Sequence, residues 1–377
     1  MQPANHYISN LTPLRGMAAI WVVVFHIQET LVKFVNPDST KLLVKGYLMV
    51  DLFFIMSGFI IYHVYQNSFT TGISGKKFRE FTVARFARIY PLHLLTLIFC
   101  IVIFVPKFGW DQVDDPKAIP TNLLLIHSFG IHKIFTWNVP SWSISAEWWA
   151  YMVFPFLCLF LSRNKKLAIP LLLIFVVLAY LGIIYWIPRK SFMDPKLPAL
   201  HNLDSTFDFG FLRGLAGFVF GMLVYQFYQS GVMRKFFQSD LVALLVILST
   251  MLCLYFGLHD EYVMIFFSLV VFVFAINNGV LHKICNNRIL QYLGKISYSI
   301  YLMQFFPIIP FWFGLKVPGF IYGKESAHAS FLVGSVFSVF FLLVLIGLSS
   351  LSYYFVEKPC RIWINKRWGK EKMPVYA

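Results

Sequence analysis

The sequence predicts an all-α integral membrane protein of about ten transmembrane helices with both termini in the cytoplasm. Three observations predict it. Of 377 residues, 58% are hydrophobic and 13% charged, with a mean hydropathy of +0.69. Soluble globular chains hold about 25% charged residues, so this chain has too few polar side chains to cover a soluble surface. Second, apolar runs of the 17–25 residues needed to cross about 30 Å of hydrocarbon recur along the chain. Third, Lys and Arg collect in alternate connecting segments. Disorder, collagen, a disulfide mini-protein and a soluble enzyme are excluded, and the net charge of +15 reads as membrane topology rather than nucleic-acid binding.

The spans fall at 14–32, 46–65, 88–106, 142–162, 168–187, 208–229, 241–258, 262–278, 296–316 and 330–352. Each is expected to be a helix, because lipid offers backbone N–H and C=O groups no other partner. Arg15 directly precedes the apolar run of the first, and no small-residue cleavage site follows it, so no cleavable signal is expected. Arg15 and His26 are eleven positions apart, three turns on one face and about 16 Å along the axis. An ionisable group at that depth needs a reason. Arg15 alone also suits a positive-inside anchor, and His26 a histidine bonded to a neighbouring helix.

The second span carries Asp51 near its outer end, where a headgroup-level carboxylate is the plainer reading. The third opens with ARFARIYP, whose Arg85 and Arg88 share one side of a helix start. With Arg15, Lys76 and Lys77 they form either a stop-transfer cluster or a phosphate clamp, since guanidinium binds phosphate bidentately. Residues 121–131 are too short to span and are expected at the interface. The fourth span opens with PSWSISAEWWAY, which puts Ser143 and Ser145 above Glu147. Tryptophans suit an interfacial belt; the acid does not. Arg213, in RGLAG of the sixth span, needs an internal partner.

With the N-terminus inside, inner segments hold 20 of the 32 Lys and Arg and outer segments 11, while 4 acids lie inside and 10 outside. That asymmetry fits cytoplasmic termini. Outer loops 107–140 and 188–207 are expected to shape specificity for a polar ligand. Cys100, Cys158, Cys253, Cys285 and Cys360 lie in spans or basic segments, so no extracytoplasmic disulfide framework is expected. His127 and His132 lack a third ligand, and no metal site is expected. No fixed-period repeat or pair of similar halves is visible, which weakens a transporter reading.

His26, Asp51 and Glu147 reach similar depth in the outer half. An imidazole held in one tautomer by a carboxylate is what a general base requires. Phosphate-binding groups lie at the opposite face. A long donor with charge at one end and a thioester at the other, such as acyl-CoA, has this shape.

These residues resemble the acyltransferase 3 family of integral membrane acyltransferases. The matching text is LTPLRGMAAIWVVVFH, VDLFFIMSGFIIY, ARFARIYPLH, WNVPSWSISAEWWAYMVFP, LGKISYSIYLMQFFP and SYYFVEKPCRIW, from about residue 11 to 364. The resemblance implies a single domain over 1–377 with a basic cytoplasmic tail at 365–377. It implies a bacterial inner-membrane enzyme moving acetyl from cytoplasmic acetyl-CoA to a hydroxyl of an extracytoplasmic or lipid-linked glycan, such as O-antigen in lipopolysaccharide, exopolysaccharide or peptidoglycan. The family's Arg-x10-His pair falls on Arg15 and His26, its RxxR on Arg85 and Arg88, and its acid after WS(I/L)S on Glu147. Its Asp before FFxxSGF falls on Asp51, and its closing ExP on Glu357 and Pro359. One departure is Gln304, where the family pattern SYxxYLxH has His.

The expected mechanism has Arg15, Arg85 and Arg88 holding the phosphates of the donor. His26, oriented by Asp51 or Glu147, takes the proton of a glycan hydroxyl, and Ser143, Tyr298 or Gln304 supports the oxyanion. Arg213 is a further substrate contact, and an acyl-enzyme on Ser145 is an alternative route. No fused extracytoplasmic domain is expected, so the acyl group passes directly or through a separate extracytoplasmic protein. The competing class is a glycan or acyl-donor transporter or flippase, which makes no covalently modified acceptor. A structural or sensory membrane protein explains the buried charges poorly.

Overall fold

The computed structural model describes residues 7–108, 118–187, 201–312, 314–322 and 327–369. Parts of the expected specificity loops (109–117 and 188–200) and residues 370–377 of the tail lie outside the described residues. The described chain is mostly helical, with very little strand. Three two-residue strands form one small sheet, Val32–Lys33 (β1), Ile321–Tyr322 (β2) and Ala327–His328 (β3). β3 lies in the middle, parallel to β1 and antiparallel to β2, with Val32 opposite Ala327 and Ile321 opposite His328.

In chain order the first helices are α1 (Leu11–His26), α2 (Met49–Phe69), α3 (Gly75–Phe108) and α4 (Ala118–Leu123). Then come α5 (Trp142–Arg163), α6 (Lys165–Leu181), α7 (Gly210–Ser230) and α8 (Arg234–Phe237). The next four are α9 (Asp240–Phe256), α10 (Asp260–Ile276), α11 (Val280–Cys285) and α12 (Arg288–Lys295). The last are α13 (Ser297–Met303), α14 (Ile309–Trp312), α15 (Phe331–Ser352) and α16 (Lys358–Trp368). A π-helical turn over Tyr353–Glu357 joins α15 to α16 in one 38-residue rod.

Seven helices among the described residues are long and apolar enough to cross a membrane. Helices α9 and α10, of 17 residues each, occupy two more of the expected spans. The segment expected as one helix over 296–316 is instead broken into α13, a short turn over Phe306–Ile308 and α14. Pro307 has no N–H to offer and its ring crowds the carbonyl of Met303, four residues back, which is where α13 stops. Segment 121–131, too short to span, starts in the last residues of the brief helix α4 and continues as turns.

Helices α2 and α7 form the tightest contact in the bundle. An added Cβ at Gly58 would fall on the carbonyl of Phe218, and one at Gly221 on that of Ile55. Small residues allow such approach where lipid supplies no hydrophobic drive between helices. Leucines and phenylalanines on the outer sides of α6, α9 and α15 stay exposed, including Leu171, Leu178, Leu245, Leu252, Phe340 and Leu343. An apolar surface of this kind suits lipid. Helix α3, about 51 Å long at 1.5 Å per residue, exceeds the bilayer. Its first turns, with Lys76, Lys77 and Arg79, extend past the apolar run.

Candidate functional site

Helices α1, α2, α3, α5, α12, α13 and α16 enclose a cavity of about 590 Å³. Its α2 wall runs from Val50 to Tyr65, about 22 Å along the helix axis. Arg15, Arg85 and Arg88 all line it, as do Glu147, Ser143 and Tyr298. At one end, Lys295 and Lys358 are exposed. At the other, the wall includes Val50, Phe53, Ser143 and Tyr301.

The three arginines are held differently. Arg88, one turn after Arg85 on α3, forms an ion pair with buried Glu357, whose second oxygen accepts from Ser299 Oγ at 2.9 Å. The Arg88 guanidinium also lies 5.4 Å from the Tyr298 ring centre, while the Tyr298 hydroxyl donates to the Ile89 carbonyl at 2.5 Å. Glu357 closes the π-helical turn that joins α15 to α16 and is buried there. Arg85, 4% exposed, lies 5.2 and 5.8 Å from the Tyr65 and Tyr151 ring centres. It donates through Nη2 to the Tyr65 hydroxyl at 3.1 Å, and its Nε has no partner. Arg15 has no ion-pair partner among the described residues. A buried guanidinium left unneutralised is costly, and an anion in the cavity would relieve the cost.

Glu147 is the one acid in the cavity wall among the described residues. Its Oε1 accepts from Ser57 Oγ at 2.8 Å and from the Tyr151 hydroxyl, four residues on along α5. Ser143, Tyr301 and the Pro140 carbonyl form a compact hydroxyl group, with Ser143 Oγ 2.9 Å from the Tyr301 hydroxyl and 3.1 Å from Pro140 O.

His26 ends α1 and is not among the residues lining the cavity. Neither Asp51 nor Glu147 holds it. Its Nδ1 is 2.9 Å from the Val22 carbonyl, one turn back. A carbonyl only accepts, so that contact assigns the proton to Nδ1 and leaves Nε2 with a lone pair. The ring packs edge-on against Phe25 and Phe305, at 4.9 and 5.2 Å between centres. Gln304 lies close enough to interact with it, yet at 1% exposure neither of its amide atoms completes a well-formed hydrogen bond.

Asp51 serves Arg213 instead. Both are 0% exposed, and Arg213 donates bidentately to Asp51, from Nε at 2.9 Å and from Nη2 at 2.6 Å. The guanidinium also donates to the carbonyls of Tyr47 and Ser205 and lies 5.1 Å from the Trp142 ring centre. Tyr47 donates in turn to Asp260, which also takes Lys45 Nζ at 2.5 Å and Leu203 N at 2.7 Å. This network ties α2, α7 and α10 together. Arg213 and Asp51 are absent from the cavity wall, so the substrate contact expected of Arg213 and the orienting role expected of Asp51 are replaced by a buried ion pair.

Ser145 also faces away. It is fully buried, donates to the Leu125 carbonyl at 2.6 Å and sits 2.8 Å from Ser128 Oγ, outside the cavity. His127 and His132 take separate partners, Ser141 Oγ at 3.1 Å and Thr121 Oγ1 at 2.7 Å. Sequence reasoning missed Ser57, Tyr151 and Tyr301. Tyr151 was within reach, since a residue four beyond Glu147 shares its helix face.

A family model described as "Acyltransferase domain" (acyltransferase 3) matches residues 8–350. Acyltransferase MdmB of Streptomyces mycarofaciens is 34% identical over 41% of this chain and 40% of its own. The putative peptidoglycan O-acetyltransferase YrhL of Bacillus subtilis is 25% identical over 95% of this chain and 55% of its own. O-acetyltransferase OatA of Staphylococcus aureus is 23% identical over 94% and 57%. The chain thus spans little more than half the length of the latter two. No solved structure matches it significantly.

Proposed function

The chain belongs to the acyltransferase 3 family, and on that premise we propose that it is a membrane-embedded O-acyltransferase. It takes an acetyl group from cytoplasmic acetyl-CoA and gives it to a glycan hydroxyl on the far side of a bacterial inner membrane. The observation that carries this reading is the cavity. It combines unneutralised guanidinium groups with a wall about 22 Å long that leads to paired hydroxyls. Its volume falls within the range of about 300–1,000 Å³ usual for small-molecule sites. The Lys and Arg excess in the segments at its cationic end supports a cytoplasmic opening.

In this mechanism Arg15, Arg85 and Arg88 bind the donor diphosphate. The neutral pantetheine arm lies along α2, where Glu147, held by Ser57 and Tyr151, accepts from an amide N–H. Ser143 and Tyr301 donate to the thioester oxygen as it gains negative charge. The acceptor hydroxyl approaches from the His26 side. Its oxygen bonds to the thioester carbon while its proton passes to His26 Nε2, which Val22 leaves available. The C–S bond then breaks, and the departing thiolate takes the proton from the imidazolium. The acceptor class follows the relative named for peptidoglycan; lipid-linked precursors and other surface glycans offer the same hydroxyl chemistry.

Purified protein in nanodiscs, given radiolabelled acetyl-CoA and a glycan acceptor, tests the reading. Wild type is expected to label the glycan, and His26→Ala to remove label without changing donor binding. Full transfer by His26→Ala removes it as the base. Arg88→Ala with unchanged donor affinity removes the clamp.

A further inference from the structure

The cavity holds more cationic groups than a diphosphate requires. Besides Arg15, Arg85 and Arg88, its wall includes Lys295 at the end of α12 and Lys358 and Arg361 on α16. Lys358 and Arg361 are three residues apart, on one helix face. None of the three has an ion-pair partner among the described residues. Glu357, the adjacent acid, is already engaged by Arg88 and Ser299, and Lys358 lies over the Tyr354 ring at 5.8 Å.

Five of these cations are graded by depth. Lys295 and Lys358 are exposed, Arg361 is half-buried, and Arg85 and Arg88 are enclosed. Like charges gathered around one space repel, and an anion bound at the outer group would relieve that repulsion. Coenzyme A carries two separate anionic groups, a diphosphate and a ribose 3′-phosphate. The 3′-phosphate is a monoester with about −1.5 to −2 charge at neutral pH, and the ribose separates it from the diphosphate.

We propose that Lys295, Lys358 and Arg361 form an outer subsite for the 3′-phosphate of the donor, distinct from the inner arginines that hold its diphosphate. Arg361 supplies the bidentate fork and the two lysines add point charges at the rim. The subsite rests on the reading that the donor is a coenzyme A thioester. It makes the enzyme selective for the phosphorylated coenzyme over its 3′-dephospho form.

Binding of coenzyme A and of 3′-dephospho-coenzyme A to the purified full chain in detergent tests this, with thermal unfolding as the folding control. Wild type is expected to bind coenzyme A about 10- to 100-fold more tightly, the range of one or two charge-assisted contacts. Arg361→Gln is expected to lower coenzyme A affinity to the dephospho level and leave dephospho-coenzyme A binding unchanged. Lys358→Gln, at an exposed position, is expected to do so in part. Arg88→Ala weakens both ligands alike. Equal wild-type affinity for the two ligands, or an Arg361→Gln loss shared equally by both, overturns the subsite while leaving the donor reading in place. Failure of folded wild type to bind either ligand overturns the donor reading and the subsite with it.

Discussion

Replacing Asp51 by Asn keeps the shape of the side chain and removes its charge, leaving Arg213 buried with its strongest partner gone. Arg213 is 0% exposed and makes two charge-assisted bonds to Asp51, at 2.9 and 2.6 Å. Breaking a buried pair on one side costs about 3–5 kcal/mol. The carbonyls of Tyr47 and Ser205 still accept from the guanidinium, so the lower half of that range is expected. The assay is thermal unfolding of detergent-purified protein, read beside acetyl transfer at a temperature where both proteins stay folded. Asp51→Asn should melt well below wild type and retain substantial turnover while folded. The double variant Asp51→Leu/Arg213→Met removes both charges. It is expected to be less destabilised than either single variant, since an apolar pair of similar volume can replace a buried ion pair. Wild-type melting combined with abolished turnover in Asp51→Asn would refute this reasoning and return Asp51 to the chemistry.

Gly221→Leu should prevent assembly of the bundle, because a side chain there meets the Ile55 backbone, and Gly347→Ala should be tolerated in open space. Monodisperse yield on gel filtration checks both, and a well-folded Gly221→Leu protein would contradict the packing account. Arg88→Lys keeps the charge but loses the fork shared between Glu357 and the cavity. The donor KM should rise about tenfold with a smaller change in kcat; an unchanged KM counts against the clamp. Tyr301→Phe should lower kcat by about 10²-fold with little change in donor KM, if its hydroxyl stabilises the oxyanion. A loss confined to KM would instead make it a binding group.

Much of the architecture was legible because lipid imposes strong constraints. Span length, the lack of backbone partners and the Lys/Arg asymmetry each left a mark on composition. The segment 296–316 misled because its hydropathy persists across a helix break, and only Pro307 in FFP marks that break. The arginine set was readable in part, since Arg85 and Arg88 lie one turn apart on α3; that Arg15 of α1 lines the same cavity comes from the packing. Partner choice was not readable. Depth alone put Asp51, Glu147 and His26 at one level, but α7 brings Arg213 to the same level and takes Asp51. His26 meanwhile satisfies itself on Val22, a local bond that no long-range pattern announces. Opposite charges at matched depth in the second and sixth spans were the available signal for the Arg213 pair.

Sealed membrane vesicles of both orientations, given external radiolabelled acetyl-CoA, test transfer across the membrane most directly. Inside-out vesicles should acquire labelled glycan in their lumen, and right-side-out vesicles should acquire none until permeabilised. Equal labelling of both orientations, or labelling only of intact right-side-out vesicles, would contradict a donor cavity open to the cytoplasm.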